Sequence, residues 1–143
     1  MKAITLYQPW ATLVALGAKK IETRSWATKY RGPLAIHAGK TIDKVNCLKT
    51  EIVIPLNEHG YVLINDLPTG AVIATCNLVD CIEMTDDFLR RIVSSQEYEL
   101  GHYEIGRYAW LFENIEPLPE PVPARGRQRL WEWRPPEGVV IDG

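Results

Sequence analysis

The apolar residues of the chain alternate between a spacing of two and a spacing near 3.6, the periods of strands and helices. Lys2–Tyr7 alternates apolar and polar residues and predicts a strand. The next stretch, Trp10–Leu16, places its apolar side chains on one helical face, and Gly17 is the residue type that commonly follows a helix. The first seventeen residues therefore predict a strand followed by a two-turn helix.

The rest of the chain predicts more strands than helices. A helix is predicted over Thr41–Leu48. Another is predicted to begin after Thr85 as its N-cap, with Asp86 and Asp87 in its first turn, and to continue through Phe88–Val93. The pattern from Ile52 to Asn65 is weak, and the four prolines of Pro117–Pro123 predict extended or irregular backbone. Five further strands are predicted: Lys20–Trp26, Leu34–His37, Ala71–Glu83, Tyr108–Phe112 and Gln128–Trp133. The pattern is typical of an α+β, mainly β fold: a barrel-like sheet of about six strands with two or three short flanking helices.

Length and composition fit one domain spanning residues 1–143, which we expect to be monomeric. No apolar run approaches the ~18–20 residues needed to cross a bilayer, and the N-terminus lacks the pattern of a signal peptide. We therefore expect a cytoplasmic protein without membrane contact. The three cysteines form no CxxC pair, and no His, Asp or Glu spacing is typical of a metal site. Neither a metal nor another cofactor is predicted.

Charge is distributed unevenly, although the net charge is only -2. Residues 17–50 carry eight basic and two acidic residues, whereas residues 51–124 carry three basic and thirteen acidic residues. One end of the surface is then locally positive, or the whole surface is solvated and simply uneven in charge. A second basic cluster at 125–134 is either a phosphate-contacting segment or a solvated loop. The mild net charge argues against indiscriminate coating of DNA.

The candidate chemistry is concentrated near the predicted strand Lys20–Trp26. Its period of two places Lys20, Glu22, Arg24 and Trp26 on one face. Such a row is either a solvated ladder of ion pairs on an edge strand or one wall of a cleft. In a cleft, the lysines and Arg24 would donate to phosphate or carbonyl oxygens, and tryptophan would offer a stacking surface.

The same stretch resembles the ASCH domain, the activating signal cointegrator homology domain. The matching motifs are Gln8-Pro9-Trp10-Ala11, Gly17-x-Lys19-x-Ile21-Glu22-x-Arg24-x-Trp26, Tyr30-Arg31-Gly32-x-Leu34, Leu67-Pro68-x-Gly70 and Tyr108-Ala109-Trp110. The resemblance covers nearly the whole chain and is closer to the cointegrator's own domain than to the short bacterial amidohydrolases of the family. It implies a PUA-like β-barrel and a cleft that recognises RNA or a modified nucleotide.

The resemblance and the residue pattern together define a predicted binding set. Its members are Gln8, Trp10, Lys19, Lys20, Glu22, Arg24, Trp26, Tyr30 and Arg31. The expected partner is RNA or a nucleotide, and protein partners remain open. A protein-interaction module using Pro117–Pro123 in a transcription or translation assembly is an alternative function.

Hydrolysis of RNA or of a modified nucleoside is a further alternative. Some ASCH relatives hydrolyse N4-acetylcytidine with a lysine, a threonine three residues later and a downstream glutamate. Here the resemblance assigns these positions to Lys19, Glu22 and Glu97, so a carboxylate stands where the family has a hydroxyl. Water would then be the nucleophile and Glu22 the base. A metal-free ribonuclease would draw on Lys19, Tyr30 and His37, although His37 lies in an apolar run typical of a structural histidine.

Overall fold

The computed structural model of the chain describes residues 1–139 and 141, and its main feature is a six-stranded sheet. The strands are β1 (Lys2–Gln8), β2 (Ile21–Arg24), β3 (Gly32–Ile42), β4 (Ala71–Glu83), β5 (Tyr108–Pro123) and β6 (Trp131–Glu132). The α-helices of the described residues are α1 (Trp10–Ala15), α2 (Thr50–Glu58), α3 (Asp86–Ile92) and α4 (Gln96–Glu99). Short 3-10 helices cover Asn46–Leu48 and Ile64–Asp66. None of these helices is long and apolar enough to span a membrane.

The strands follow the order β2-β5-β4-β3-β1-β6, with β1 parallel to β3 and the other pairs antiparallel. The predicted mainly β fold of six strands is confirmed, but β2 and β6 remain edges and the sheet is not closed. β6 pairs with only Lys2 and Ala3, which leaves the C-terminal half of β1 without a strand neighbour on that side. A side chain bridges the gap instead, because Nη2 of Arg24 in β2 donates to O of Thr5 in β1 at 2.8 Å.

Alternation along the central strands builds apolar clusters on both sides of the sheet. In β3, Leu34 and Ile36 pack into the main cluster with α1, whereas Ala35 packs into a cluster with Trp131 and Trp133. This division follows from successive side chains of a strand pointing to opposite faces. A third cluster joins α1 to α2 through side chains such as Leu13. The sheet therefore holds α1 firmly beside the start of β2.

The predicted helix over Thr41–Leu48 is wrong. β3 continues to Ile42 because its pairing with β1 extends to the Gln8–Ile42 position. A carboxylate oxygen of Asp43 then accepts from the backbone N of Asn46 at 3.1 Å, a local bond that favours a turn over a continuing helix. The next α-helix, α2, begins at Thr50 and covers part of the segment where the sequence pattern is weak.

Two other predictions are confirmed in detail. β4 has the predicted bounds, and Thr85 caps α3 by accepting from the backbone N of Phe88 at 3.2 Å. The predicted extended backbone of Pro117–Pro123 is also observed, as the second half of β5. Irregularities in the β4–β5 pairing accompany this segment, as expected where prolines cannot donate to a ladder.

Candidate functional site

A cleft of about 690 Å³ lies where the unpaired half of β1 faces β2. We call it the β1–β2 cleft. β1 contributes Thr5 and Tyr7, and β2 contributes Glu22 and Arg24. Its lining also includes Trp10, Lys19, Thr23, Ser25, Trp26, Asp43, Asn46, Lys49, Glu99, Leu100, Gly101, His102 and Arg107. The cleft is therefore a direct consequence of the open sheet.

The turn after α1 delivers Lys19 into the cleft. Gly17 follows the helix with φ of +77°, a left-handed conformation that glycine adopts without steric cost. The backbone N of Gly17 donates to O of Val14 at 2.9 Å, and the N of Lys19 donates to O of Leu13 at 3.1 Å. These bonds complete the helix end and fix the direction in which the chain enters β2.

Lys19 is the buried cation of the cleft, with only 1% of its surface exposed. Its Nζ donates to O of Ile21 and, at 2.7 Å, to O of Leu100. The Oε1 of Glu22 lies 3.7 Å from Nζ, and the Trp10 ring centroid lies 5.7 Å away. Burial lowers the pKa of Lys19 from its ordinary value, and the nearby carboxylates only partly oppose this shift. The ammonium thus has fixed protein partners.

Glu22 and Arg24 point to the same side of β2, as the two-residue period requires. Nη2 of Arg24 lies 3.1 Å from Oε2 of Glu22 and also donates to Thr5. The other oxygen, Oε1, accepts from the backbone N of Thr23 at 3.1 Å. Nε of Arg24 is buried and has no acceptor among the described residues. Buried donors are nearly always paired, so this free N–H is an exception within the cleft.

Aromatic rings form the wall of the cleft. Tyr7 is 58% exposed, an unusual degree for an aromatic side chain within a strand. Trp10 and Trp26 are half-buried, and Trp26 packs edge-to-face on Trp110 with ring centroids 4.7 Å apart. The guanidinium carbon of Arg129 lies over the Trp26 ring, 4.8 Å from its centroid. Rings held in this way offer flat surfaces for stacking.

The charges of the cleft are more balanced than the basic sequence around it suggests. Four lysines and arginines line it, namely Lys19, Arg24, Lys49 and Arg107, together with three acidic residues, Glu22, Asp43 and Glu99. The cleft is therefore a mixed surface of donors and acceptors, in which Glu22 occupies the centre. Such a surface suits the edge of a polar ring better than it suits a row of phosphates.

Four residues of the predicted binding set do not line the cleft. Gln8 is fully buried, and its amide group donates to O of Pro68 at 2.7 Å and accepts from N of Thr12 at 3.0 Å. Lys20 is exposed outside the cleft. The remaining two donate to nearby backbone carbonyl groups, Tyr30 to that of Pro33 at the start of β3 and Arg31 to two within its own loop, and Arg31 also lies 3.6 Å from Asp80. Their positions indicate structural roles.

The predicted catalytic set is only partly brought together. Glu97 lies behind Lys20, whose backbone N it accepts from, and burial raises the pKa of this carboxyl group. It does not line the cleft. The Oγ1 of Thr23 accepts from N of His102 at 3.1 Å, and Lys19 is not among its hydrogen-bond partners. No group of three or more His, Cys, Asp and Glu side chains within the described residues is arranged to hold a metal ion.

Several residues of the cleft were not predicted from the sequence. Tyr7 had a detectable signal, because an aromatic residue on the polar side of an alternating strand is exposed. Lys49, His102 and Arg107 had none, since they reach the cleft from loops that are distant in sequence. Only the fold brings these loops together.

The open, mainly β sheet with its cleft beside the α1–β2 turn belongs to the PUA-like class of folds. The chain belongs to the ASCH domain family, whose model matches residues 4–119.

Two curated relatives align with 90% of the chain. They are the activating signal cointegrator 1 proteins of Mus musculus, 25% identical over 131 residues, and of Homo sapiens, 24% identical over 132 residues. The aligned part is 22% of the length of each relative. The similarity agrees with the expected resemblance to the cointegrator's domain.

Solved structures of an ASCH protein from Zymomonas mobilis share the fold. The structure of that protein has a TM-score of 0.57 at 17% identity and covers 93% of this chain and 87% of its own. A mutant form of the same protein also has a TM-score of 0.57, at 16% identity, with coverages of 93% and 89%. At this level of identity, the similarity shows the fold alone.

Proposed function

We propose that the chain is an RNA-binding module and that one nucleotide of a single strand occupies the β1–β2 cleft. The observation that carries this proposal is the Lys19–Glu22–Arg24 network, in which Lys19 and Glu22 are buried, beside exposed and half-buried aromatic rings. Single-stranded RNA is recognised through unstacked bases that stack on aromatic side chains and form hydrogen bonds along their edges. The cleft offers both kinds of contact, and the chain's family supports the same ligand class.

The network supplies the polar half of base recognition. Oε2 of Glu22 can accept from an exocyclic amine, and the unpartnered Nε–H of Arg24 can donate to a ring nitrogen or carbonyl oxygen. Lys19 contributes indirectly, because its Nζ lies 3.7 Å from Oε1 of Glu22 and helps to hold this carboxylate in place. A base that presents an amine beside an acceptor, as cytosine and adenine do, fits this arrangement.

Stacking of a base on the aromatic wall is tested at Tyr7, because its exposed ring can be removed without opening the core. We expect Tyr7→Ala to weaken binding of a fluorescent single-stranded RNA of about ten nucleotides. Loss of one base–aromatic stack is worth ~1–3 kcal/mol, about 5-fold to about 150-fold in affinity. The measurement is fluorescence anisotropy at low and moderate salt, where phosphate contacts make the affinity fall as salt rises.

Tyr7→Phe is the matched control, because it keeps the ring and removes only the hydroxyl. It should bind within about twofold of the wild type, since stacking needs the ring face alone. Equal affinities of Tyr7→Ala and the wild type would contradict the proposal. So would a wild-type protein that does not bind single-stranded RNA at low salt.

Hydrolysis of RNA or of a modified nucleoside is the second candidate, favoured by one observation. Burial lowers the pKa of Lys19 in the cleft and raises that of Glu97 behind it, a pattern common at catalytic sites. The placement of Thr23 Oγ1 leaves water as the nucleophile and Glu22 as the base. Turnover of N4-acetylcytidine or labelled RNA that disappears in Glu22→Gln would establish it, and no turnover by clean wild-type protein would exclude it.

A further inference from the structure

The segment between β5 and β6 carries three arginines at alternate positions, Arg125, Arg127 and Arg129. We call residues 124–130 the strap. Its backbone is anchored at several points. The backbone N of Ala124 donates to O of Gly70 at 3.0 Å, and Nε2 of His37 lies 2.7 Å from O of Ala124. Because a carbonyl oxygen only accepts, Nε2 of His37 carries the proton of this bond.

Gly126 brings the strap into close contact with the sheet. A Cβ at this position would lie 2.6 Å from Cε1 of His37 and 2.7 Å from Oγ1 of Thr5, so only glycine allows the observed approach. At the end of the strap, Arg129 has φ of +57° and its guanidinium group stacks on Trp26, a wall residue of the β1–β2 cleft. The strap therefore has a defined course from β3 to that cleft.

A second cleft of about 940 Å³ runs along the strap, and we call it the strap groove. Its charged lining residues are Lys40 of β3 and the two strap residues Arg125 and Arg127. No acidic residue lines it, in contrast to the three acids of the β1–β2 cleft. All three cations are exposed, and no acidic side chain in the described part of the chain pairs with them.

Thr5 lines both clefts, so the two are adjacent along β1. The β1–β2 cleft has a mixed, aromatic surface suited to a base, whereas all charged side chains of the strap groove are basic. We infer that the strap groove binds the phosphate backbone of the RNA strand on one side of the nucleotide held in the β1–β2 cleft. The inference rests on the proposed function and adds to it a second contact with the bound strand, next to the nucleotide in the β1–β2 cleft.

The test compares two double variants of equal charge. Arg125→Gln with Arg127→Gln removes two cations of the strap groove, and Arg90→Gln with Arg91→Gln removes two exposed cations of α3 that line neither cleft. Affinities for a single-stranded RNA of about ten nucleotides and for a single nucleoside, which has no phosphate, are measured over a range of salt concentrations. Circular dichroism confirms that both variants are folded.

The double variant Arg125→Gln with Arg127→Gln, called the strap-groove variant, should bind the RNA more weakly than the wild type does. The slope of log affinity against log salt should become less negative by about 1.4, since each phosphate contact on a single strand contributes about 0.7. The strap-groove variant should bind the nucleoside with nearly the wild-type affinity, and the α3 variant should bind the RNA with nearly the wild-type affinity. A wild-type slope in the strap-groove variant, or an equal loss of affinity for the RNA and the nucleoside, would overturn the inference. The proposed function fails separately, when Tyr7→Ala leaves the affinity unchanged.

Discussion

At the scale of single residues, the cleft depends on charges that have fixed partners. Burying an ammonium group is costly unless other groups compensate it, and Lys19 has two carbonyl oxygens and the carboxylate of Glu22 around it. The sequence identified Glu22 and Arg24 because charged residues at alternate strand positions are unusual, and it identified Lys19 through the resemblance to the ASCH domain. It could not show that Gln8 is fully satisfied inside the protein, because hydrogen-bond partners such as Pro68 are distant in the chain.

His37 is a second residue whose role is set by its partners. Its Nδ1 lies 3.1 Å from Oγ1 of Thr5, which itself accepts from Nε1 of Trp131 at 3.1 Å. With the proton on Nε2, the neutral ring satisfies both bonds, and protonation of Nδ1 would disturb the Thr5 bond. Burial lowers the pKa of His37 below its ordinary 6.5, in agreement with a neutral ring. The structural interpretation of this histidine fits these contacts.

This shift predicts a pH dependence of stability. A histidine with a lowered pKa in the folded state takes up protons more readily when the chain is unfolded, so its contribution is complete above 6.5 and is lost as the pH falls below it. We expect the free energy of unfolding in urea to decrease from about pH 7.5 to about pH 5.5. In His37→Gln the free energy of unfolding should fall less over the same pH range, because the contribution of the histidine is absent. Parallel pH profiles of the two proteins would contradict this role of His37.

At the scale of elements, regular patterns were predictable and long-range interactions were not. β4 was predicted with its observed bounds because it is a long, apolar and central strand. α2 was missed because its nine residues include Pro55, and its burial depends on packing against Leu13 of α1. The sequence pattern does not predict the course of the strap. Its course is set by contacts with β1 and β3, which are far away in sequence.

Gly126 gives a prediction at this scale. Gly126→Ala places a methyl group against the rings and hydroxyl beneath the strap, where His37 is held by hydrogen bonds and cannot easily move. Overpacking of this kind lowers the free energy of unfolding by ~1–3 kcal/mol. Urea denaturation measures the change. The control is Ser94→Ala, because Ser94 is exposed and a methyl group there meets no packed neighbours. Gly138→Ala would not serve, since φ at Gly138 is +89° and alanine would be strained there. A stability equal to that of the wild type would show that the strap is free to shift.

At the scale of the whole molecule, the site exists because the sheet stays open. The sequence predicted the number of strands, the mainly β class and the central residues of the cleft. Closure could not be predicted, because it depends on how much of β1 is covered by β6, and this strand forms only two residue pairs. The uncovered part of β1 contributes Thr5 and Tyr7 to the cleft and connects it to the strap groove.

The five tryptophans allow the most direct test, since each indole N–H gives its own signal in a ¹H–¹⁵N NMR spectrum. Trp10 and Trp26 line the β1–β2 cleft, whereas Trp133 is buried in the cluster on the other side of the sheet. During titration with single-stranded RNA, we expect the signals of Trp10 and Trp26 to shift and saturate together while that of Trp133 stays in place. Saturating shifts at Trp133 with none at Trp10 and Trp26 would place the RNA elsewhere and contradict the proposed function.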